Sequence, residues 1–128
     1  MTLTVKDIMH DVMKIDHHKT VAQAAKLMDR ERRGSVLVEE SGEVIGIITE
    51  RDILRKVVAY GLDPTTTYVH QVMSSRLITI EKDGEIGEAS ALMGRSNIRR
   101  LIVVDGGDIV GIITTRSIAK SVQMFPKG

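Results

Sequence analysis

Thr49 and Asp52 stand three residues apart in the run Gly46-Ile47-Ile48-Thr49-Glu50-Arg51-Asp52-Ile53. The apolar stretch before Thr49 reads as a strand, and a helix begins after it. Free backbone N–H groups and the positive end of the helix dipole lie at such a junction, and both suit a phosphate. The Asp52 carboxylate accepts two hydrogen bonds at once, the pattern that a ribose 2′,3′-diol presents. Thr-x-x-Asp before an apolar helix is also a capping box. The two roles are compatible.

Arginines form a second group of candidates: Arg30, Arg32 and Arg33, then Arg95, Arg99, Arg100 and Arg116. Their planar donors suit phosphate oxygens, although the same pattern also fits a solvated face or weak RNA or DNA binding. His10, His17 and His18 raise a metal site. Adjacent histidines on a strand would point to opposite faces, and helical i,i+4 ligand spacing is absent, so a surface turn is the better reading and no metal is expected. The chain has no cysteine, which excludes disulfides, thiol nucleophiles and thiolate metal sites. No Ser–His–Asp or paired-carboxylate arrangement stands out, so the expectation is a protein that is not an enzyme.

These residues must be placed by a chain of 128 residues, the size of one compact domain or two very small ones. Its net charge of +1 sets it apart from polybasic nucleic-acid binders. Its aromatics are Tyr60, Tyr68 and Phe125, too few to stack single-stranded bases. No apolar run reaches membrane-span length and the N-terminus lacks a secretory pattern, so a cytoplasmic protein with no membrane partner is expected.

The chain is internally repeated. With an offset of 65, residues Val12 to Ile53 pair with Leu77 to Ile118 without a gap and with 13 identities, among them Met28/Met93, Gly46/Gly111 and Thr49/Thr114. Upstream the offset becomes 64 and pairs Val5-Lys6-Asp7-Ile8-Met9 with Val69-His70-Gln71-Val72-Met73. The repeats therefore run over 5–61 and 69–123, with 62–68 as a linker.

Each copy predicts a short strand (Val12 to Ile15; Leu77 to Ile80), then a helix. In the first copy Val21, Ala24, Ala25 and Met28 fall on one helical face behind a Thr20/Gln23 capping box. Ile86, Ala89, Ser90 and Met93 repeat that face more weakly. Two strands follow, Ser35 to Glu39 and Val44 to Ile48, with partners Leu101 to Asp105 and Ile109 to Ile113. A second helix starts after Thr49 or Thr114 and in the first copy ends at Gly61. The order is β-α-β-β-α, twice, an α/β (α+β) class. One copy alone makes a marginal core, so the two are expected to pack with pseudo-twofold symmetry into one intertwined module. Methionines at equivalent repeat positions read as core.

The paired Gly-Ile-Ile-Thr runs, the preceding Gly34-Ser35-Val36-Leu37-Val38 and Ile98-Arg99-Arg100-Leu101-Ile102-Val103-Val104-Asp105, and the leading Asp7-Ile8-Met9 resemble a tandem cystathionine-β-synthase (CBS) domain pair, or Bateman module, over about Val5 to Ser121. The resemblance implies clefts between the repeats that take adenosine-containing ligands: AMP, ADP, ATP or S-adenosylmethionine. It implies a regulatory role on a partner protein, a homodimer formed through helices, and no required cofactor. By the same resemblance Asp52 reads the ribose, and Thr49 holds ribose or phosphate with Arg51 beside it. Val12, Met13, Arg33, Gly34, Ser35 and Ile48 form the adenine slot, although Val12, Met13 and Ile48 also read as core. Arg99, Arg100 and Arg116 supply phosphate-binding charge.

The second repeat departs from the pattern. Ser117 stands where Asp52 does, beside Thr114, so the second site is expected to be weakened. Ile53, Leu54, Val57 and Val58 either supply a dimer contact or cover the sheet. The alternative functions are an interaction module with a vestigial ligand site and a weak nucleic-acid binder.

Overall fold

The computed structural model describes residues 3–124. The elements in chain order are α1 (Val5–Ile8), β1 (Lys14–Asp16), α2 (Val21–Glu31), β2 (Ser35–Glu40), β3 (Glu43–Thr49) and α3 (Glu50–Ile53). The helix continues from α3 as a π-helical segment, Leu54–Val58. Then come α4 (Val69–Val72), β4 (Thr79–Glu81), α5 (Ile86–Ser96), β5 (Arg100–Asp105), β6 (Asp108–Thr114) and α6 (Thr115–Met124). Two three-stranded sheets result, β1-β2-β3 and β4-β5-β6, each with one parallel and one antiparallel pairing. The expected α/β class with two repeats of one unit is what the chain adopts.

The chain divides into two compact units, residues 13–77 and residues 1–12 with 78–128. The leading segment of each repeat therefore belongs to the unit built on the other repeat's sheet. In the first of these units Val69 and Val72 join Ile15, Val21, Ala24, Met28, Val36, Val38, Ile48 and Val57 in one core. Backbone bonds from Val69 N to the Lys19 carbonyl and from Val21 N to the Thr67 carbonyl hold the segment there. In the other unit Val5 joins Ala89, Met93, Leu101, Val103 and Ile113, and Val5 N donates to the Gly84 carbonyl.

Local chemistry explains the elements. Helix α2 starts where predicted: Thr20 Oγ1 accepts from Gln23 N at 3.2 Å and Gln23 Oε1 accepts from Thr20 N at 2.9 Å. It ends at Arg32, whose backbone is left-handed (φ 55°), and α5 ends in the same way at Asn97 (φ 52°). Both hairpins turn on two residues of positive φ, Ser41-Gly42 and Gly106-Gly107, which matches the twist of the flanking strands. A register shift falls at the equivalent place in each hairpin, after Val38 and after Val103.

The first strand of each repeat lies slightly later than the apolar residues predict. Only Ile15 of β1 is buried, between exposed Lys14 and Asp16, and the ladder covers Lys14–Asp16. Val12 and Met13 precede the strand and are half-buried. The equivalent shift moves the predicted Leu77–Ile80 to Thr79–Glu81. The second helix of the first repeat also differs. It is α-helical only to Ile53, π-helical over Leu54–Val58, and closes at Ala59, whose N–H donates to the Leu54 carbonyl at 2.9 Å.

Candidate functional site

Strand β3 ends at Thr49, the N-cap of α3, and Asp52 lies in the first turn beyond it. The capping box is closed in both directions. Asp52 Oδ2 accepts from Thr49 N at 2.9 Å and from Thr49 Oγ1 at 3.0 Å, while Asp52 N donates to Thr49 Oγ1 at 3.1 Å. The other carboxylate oxygen, Oδ1, lies 3.1 Å from Lys56 Nζ. The Asp52 side chain is 15% exposed, so it is held firmly yet reaches the surface. A carboxylate fixed by donors on one side has a defined direction for accepting a diol on the other.

Gly34 and Ser35 lead into β2 beside this junction: Glu50 N donates to the Gly34 carbonyl, and Ser35 pairs with Thr49 in the ladder. Gly34, Ser35, Thr49 and Asp52 thus meet at one end of one sheet, with Arg33 just before and Arg51 exposed on the helix. Met13 is partly buried against the same core, and its carbonyl accepts from Leu37 N. Ile48 is fully buried in that core. Val12 falls in the other compact unit, as do Arg99, Arg100, Arg116, Thr114 and Ser117.

The second repeat builds the same junction with a different acceptor. Ser117 Oγ accepts from Thr114 N at 3.2 Å and lies 3.0 Å from Thr114 Oγ1, and Ser117 N donates back to Thr114 Oγ1 at 3.0 Å. Serine therefore reproduces the cap and not the charge. The residue is buried. The hydroxyl is spent inside the chain, which sharpens the contrast with Asp52.

The remaining candidates separate. Arg30 pairs with Glu31 at 3.2 Å, and Arg32 serves as the left-handed cap of α2. His17 and His18 lie in a turn after β1, and their rings are adjacent, with centroids 3.9 Å apart, rather than on opposite faces of a strand. Tyr68 and His70 stack beside them. No group of three or more metal-ligating side chains among the described residues can hold an ion. On the second helix of the first repeat the apolar residues divide. Val57 is buried and Ile53 partly so, against the sheet, whereas Leu54 and Val58 are 60% and 64% exposed. No helix among the described residues is long and apolar enough to cross a membrane.

Lys56, Gly46 and Gly111 have structural roles that motif spacing does not reveal. Lys56 Nζ, besides facing Asp52, donates to the Val72 carbonyl at 2.9 Å. A Cβ on Gly46 would strike Met73 Sδ and sit 2.9 Å from the Ser74 carbonyl oxygen; on Gly111 it would sit 3.0 Å from that of His10. These glycines let each leading segment lie against the sheet. Their identity in both repeats was the visible signal.

This double β-α-β-β-α architecture, with a capped strand–helix junction in each copy, defines a tandem repeat protein of one known family. The CBS domain family matches residues 5–59 and again 69–123, and the chain belongs to it. It is 36% identical to the CBS domain-containing protein YhcV of Bacillus subtilis over 117 residues, 91% of this chain and 83% of that one. It is 43% identical to an uncharacterized protein of Methanopyrus kandleri over 110 residues, 84% of this chain, and that match spans 56% of the relative's length. Among solved structures it is similar to a hexameric CBS-CP12 protein from bloom-forming cyanobacteria, with a TM-score of 0.88 and 32% identity over 100% of this chain and 78% of that one.

Proposed function

We propose that this CBS pair is a regulatory module that binds an adenosine-containing ligand (AMP, ADP, ATP or S-adenosylmethionine) at the first repeat's Thr49–Asp52 junction, without catalysing a reaction on it. The observation that carries the reading is Asp52 itself: a charged, oriented acceptor at a strand–helix junction, where the equivalent position of the other repeat holds a buried, self-satisfied serine. Gly34 and Ser35 at the same sheet end support an adenine approached by backbone, and Arg51 supports an anionic ligand. Ligand occupancy shifts the population of conformers, and an intracellular partner protein reads the difference. Leu54 and Val58, exposed on the helix that carries Asp52, offer the apolar contact for that partner or for a second copy of the chain.

The test is thermal unfolding against AMP, ADP, ATP, S-adenosylmethionine and GMP. A ligand that binds only the folded state raises stability by about 2.7 kcal/mol at a hundredfold excess over Kd. A shift with one adenosine ligand, lost in Asp52→Ala, is the expected result. No shift with any of the five would sink the reading and favour an interaction module that works through Leu54 and Val58.

A further inference from the structure

Lys56 sits at the centre of a closed circuit within the unit of residues 13–77. Its ammonium faces Asp52 Oδ1 at 3.1 Å and donates to the Val72 carbonyl at 2.9 Å. Val72 is the last residue of α4, whose final carbonyls have no partner within the helix. From there the chain passes to Met73, which lies on Gly46, and to Ser74, which exchanges backbone hydrogen bonds with Ile47 at 2.8 and 2.9 Å. Ile47 is two residues from Thr49, which caps onto Asp52.

The second repeat reproduces most of this circuit and omits its cation. Met9 lies on Gly111, and His10 exchanges backbone bonds with Ile112. The residue matching Lys56 is Ser121, whose hydroxyl turns back to the Ile118 carbonyl of its own helix at 2.6 Å. The π-helical segment is another difference between the repeats, and Lys56 lies within it. Such segments occur often at functional sites.

We infer that Lys56 is a positioning residue: it restrains the free side of the Asp52 carboxylate and ties it to the C-terminus of α4, so a ligand taken by Asp52 is felt at α4. The inference rests on the nucleoside reading for its ligand and on the observed bonds for the linkage. Asp52 Oδ2 already accepts two hydrogen bonds from Thr49. A diol needs two acceptor sites, so it must take Oδ1, where Lys56 stands. The displaced ammonium then loses its counter-charge and loosens from the Val72 carbonyl. The signal leaves through the leading segment of the second repeat.

Two measurements decide it. The first needs no ligand: amide hydrogen exchange at Met73 and Ser74, referenced to Val36–Val38 in the core of the same unit. Lys56→Met and Asp52→Asn should each speed exchange at least threefold, and the double variant should not exceed Lys56→Met alone. Wild-type exchange in Asp52→Asn would overturn the linkage. The second is adenosine affinity, adenosine being uncharged and so blind to loss of a cation for phosphate. Lys56→Met should bind it about three- to tenfold more tightly than the native chain, an effect that loss of structural support would not produce. Equal or weaker binding would refute the restraint. Adenosine binding to neither protein would refute the nucleoside reading, and the exchange result would then decide the linkage alone.

Discussion

Asp52 and Ser117 do the same structural work with different chemistry, and this sets how the two must be tested. Each side chain accepts from the backbone N–H of a threonine N-cap, Thr49 or Thr114. Removing either should cost about 0.5–1.5 kcal/mol of stability, the usual net worth of the hydrogen bond it accepts, measured by urea unfolding. Only the carboxylate offers a charge-assisted acceptor to a ligand. Asp52→Ala should therefore weaken adenosine-ligand binding by about ten- to a hundredfold, from the 1.5–3 kcal/mol of such a bond, while Ser117→Ala leaves it unchanged. Titration calorimetry on the two variants checks this, and equal effects would refute the asymmetry. The Thr49–Asp52 pairing was legible because cap spacing is a sequence-local signal. Lys56 was not. Its i,i+4 relation to Asp52 looks like any surface ion pair, and its second partner is a backbone carbonyl sixteen residues away. The adjacency of His17 and His18 was also hidden, because it depends on a turn that replaces the alternation of a strand.

Elements followed the sequence where one physical rule acted alone. The capped helix α2 and the two hairpins lie where periodicity and turn chemistry put them. The first strands lie further on because three ladder pairs beside β2 and β5 outweigh the apolar character of the residues just before them. The π-helical turn left no mark in a pattern read at 3.6 residues per turn. The close approach of each leading segment to its sheet is the feature most exposed to mutation. Gly46→Ala and Gly111→Ala should each destabilise by about 1–3 kcal/mol, the cost of overpacking, since a methyl group would meet backbone as well as methionine. Thermal melts of the two variants measure this, and an unchanged transition in both would show that the segments yield freely.

At the scale of the molecule, exposed carboxylates set the acid limit. Hydrogen bonds hold Asp7, Asp16, Asp63 and Asp83 below their ordinary value of 3.8: Thr4 on Asp7, the His18 backbone on Asp16, Thr65 on Asp63 and Lys6 on Asp83. A lowered carboxylate stabilises the fold fully above its unfolded value and loses that contribution as pH falls through its folded one. Melting temperature should therefore hold from neutral pH to about 4 and fall below it, less steeply in Asp63→Asn. Connectivity makes a further demand. Val69 and Val72 belong to the core of Ile15, Val36 and Ile48, so a fragment of residues 13–77 should unfold cooperatively. A fragment of residues 1–61, one sequence repeat, should not, and circular dichroism melts would distinguish them.

That exchange of leading segments also fixes an order of events on the ribosome. Residues 13–77 are contiguous, and their core is complete once Ser74 has emerged. Val5, Ile8 and Met9 have no sheet to lie on until β6 has been made, some forty residues later. They precede the end of β6 by about a hundred residues, so at about 5–20 residues per second they stay unburied for roughly 5–20 s in every round of synthesis. These early-made residues thus find shelter later than the core of residues 13–77, and a chaperone that protects this protein would meet it there.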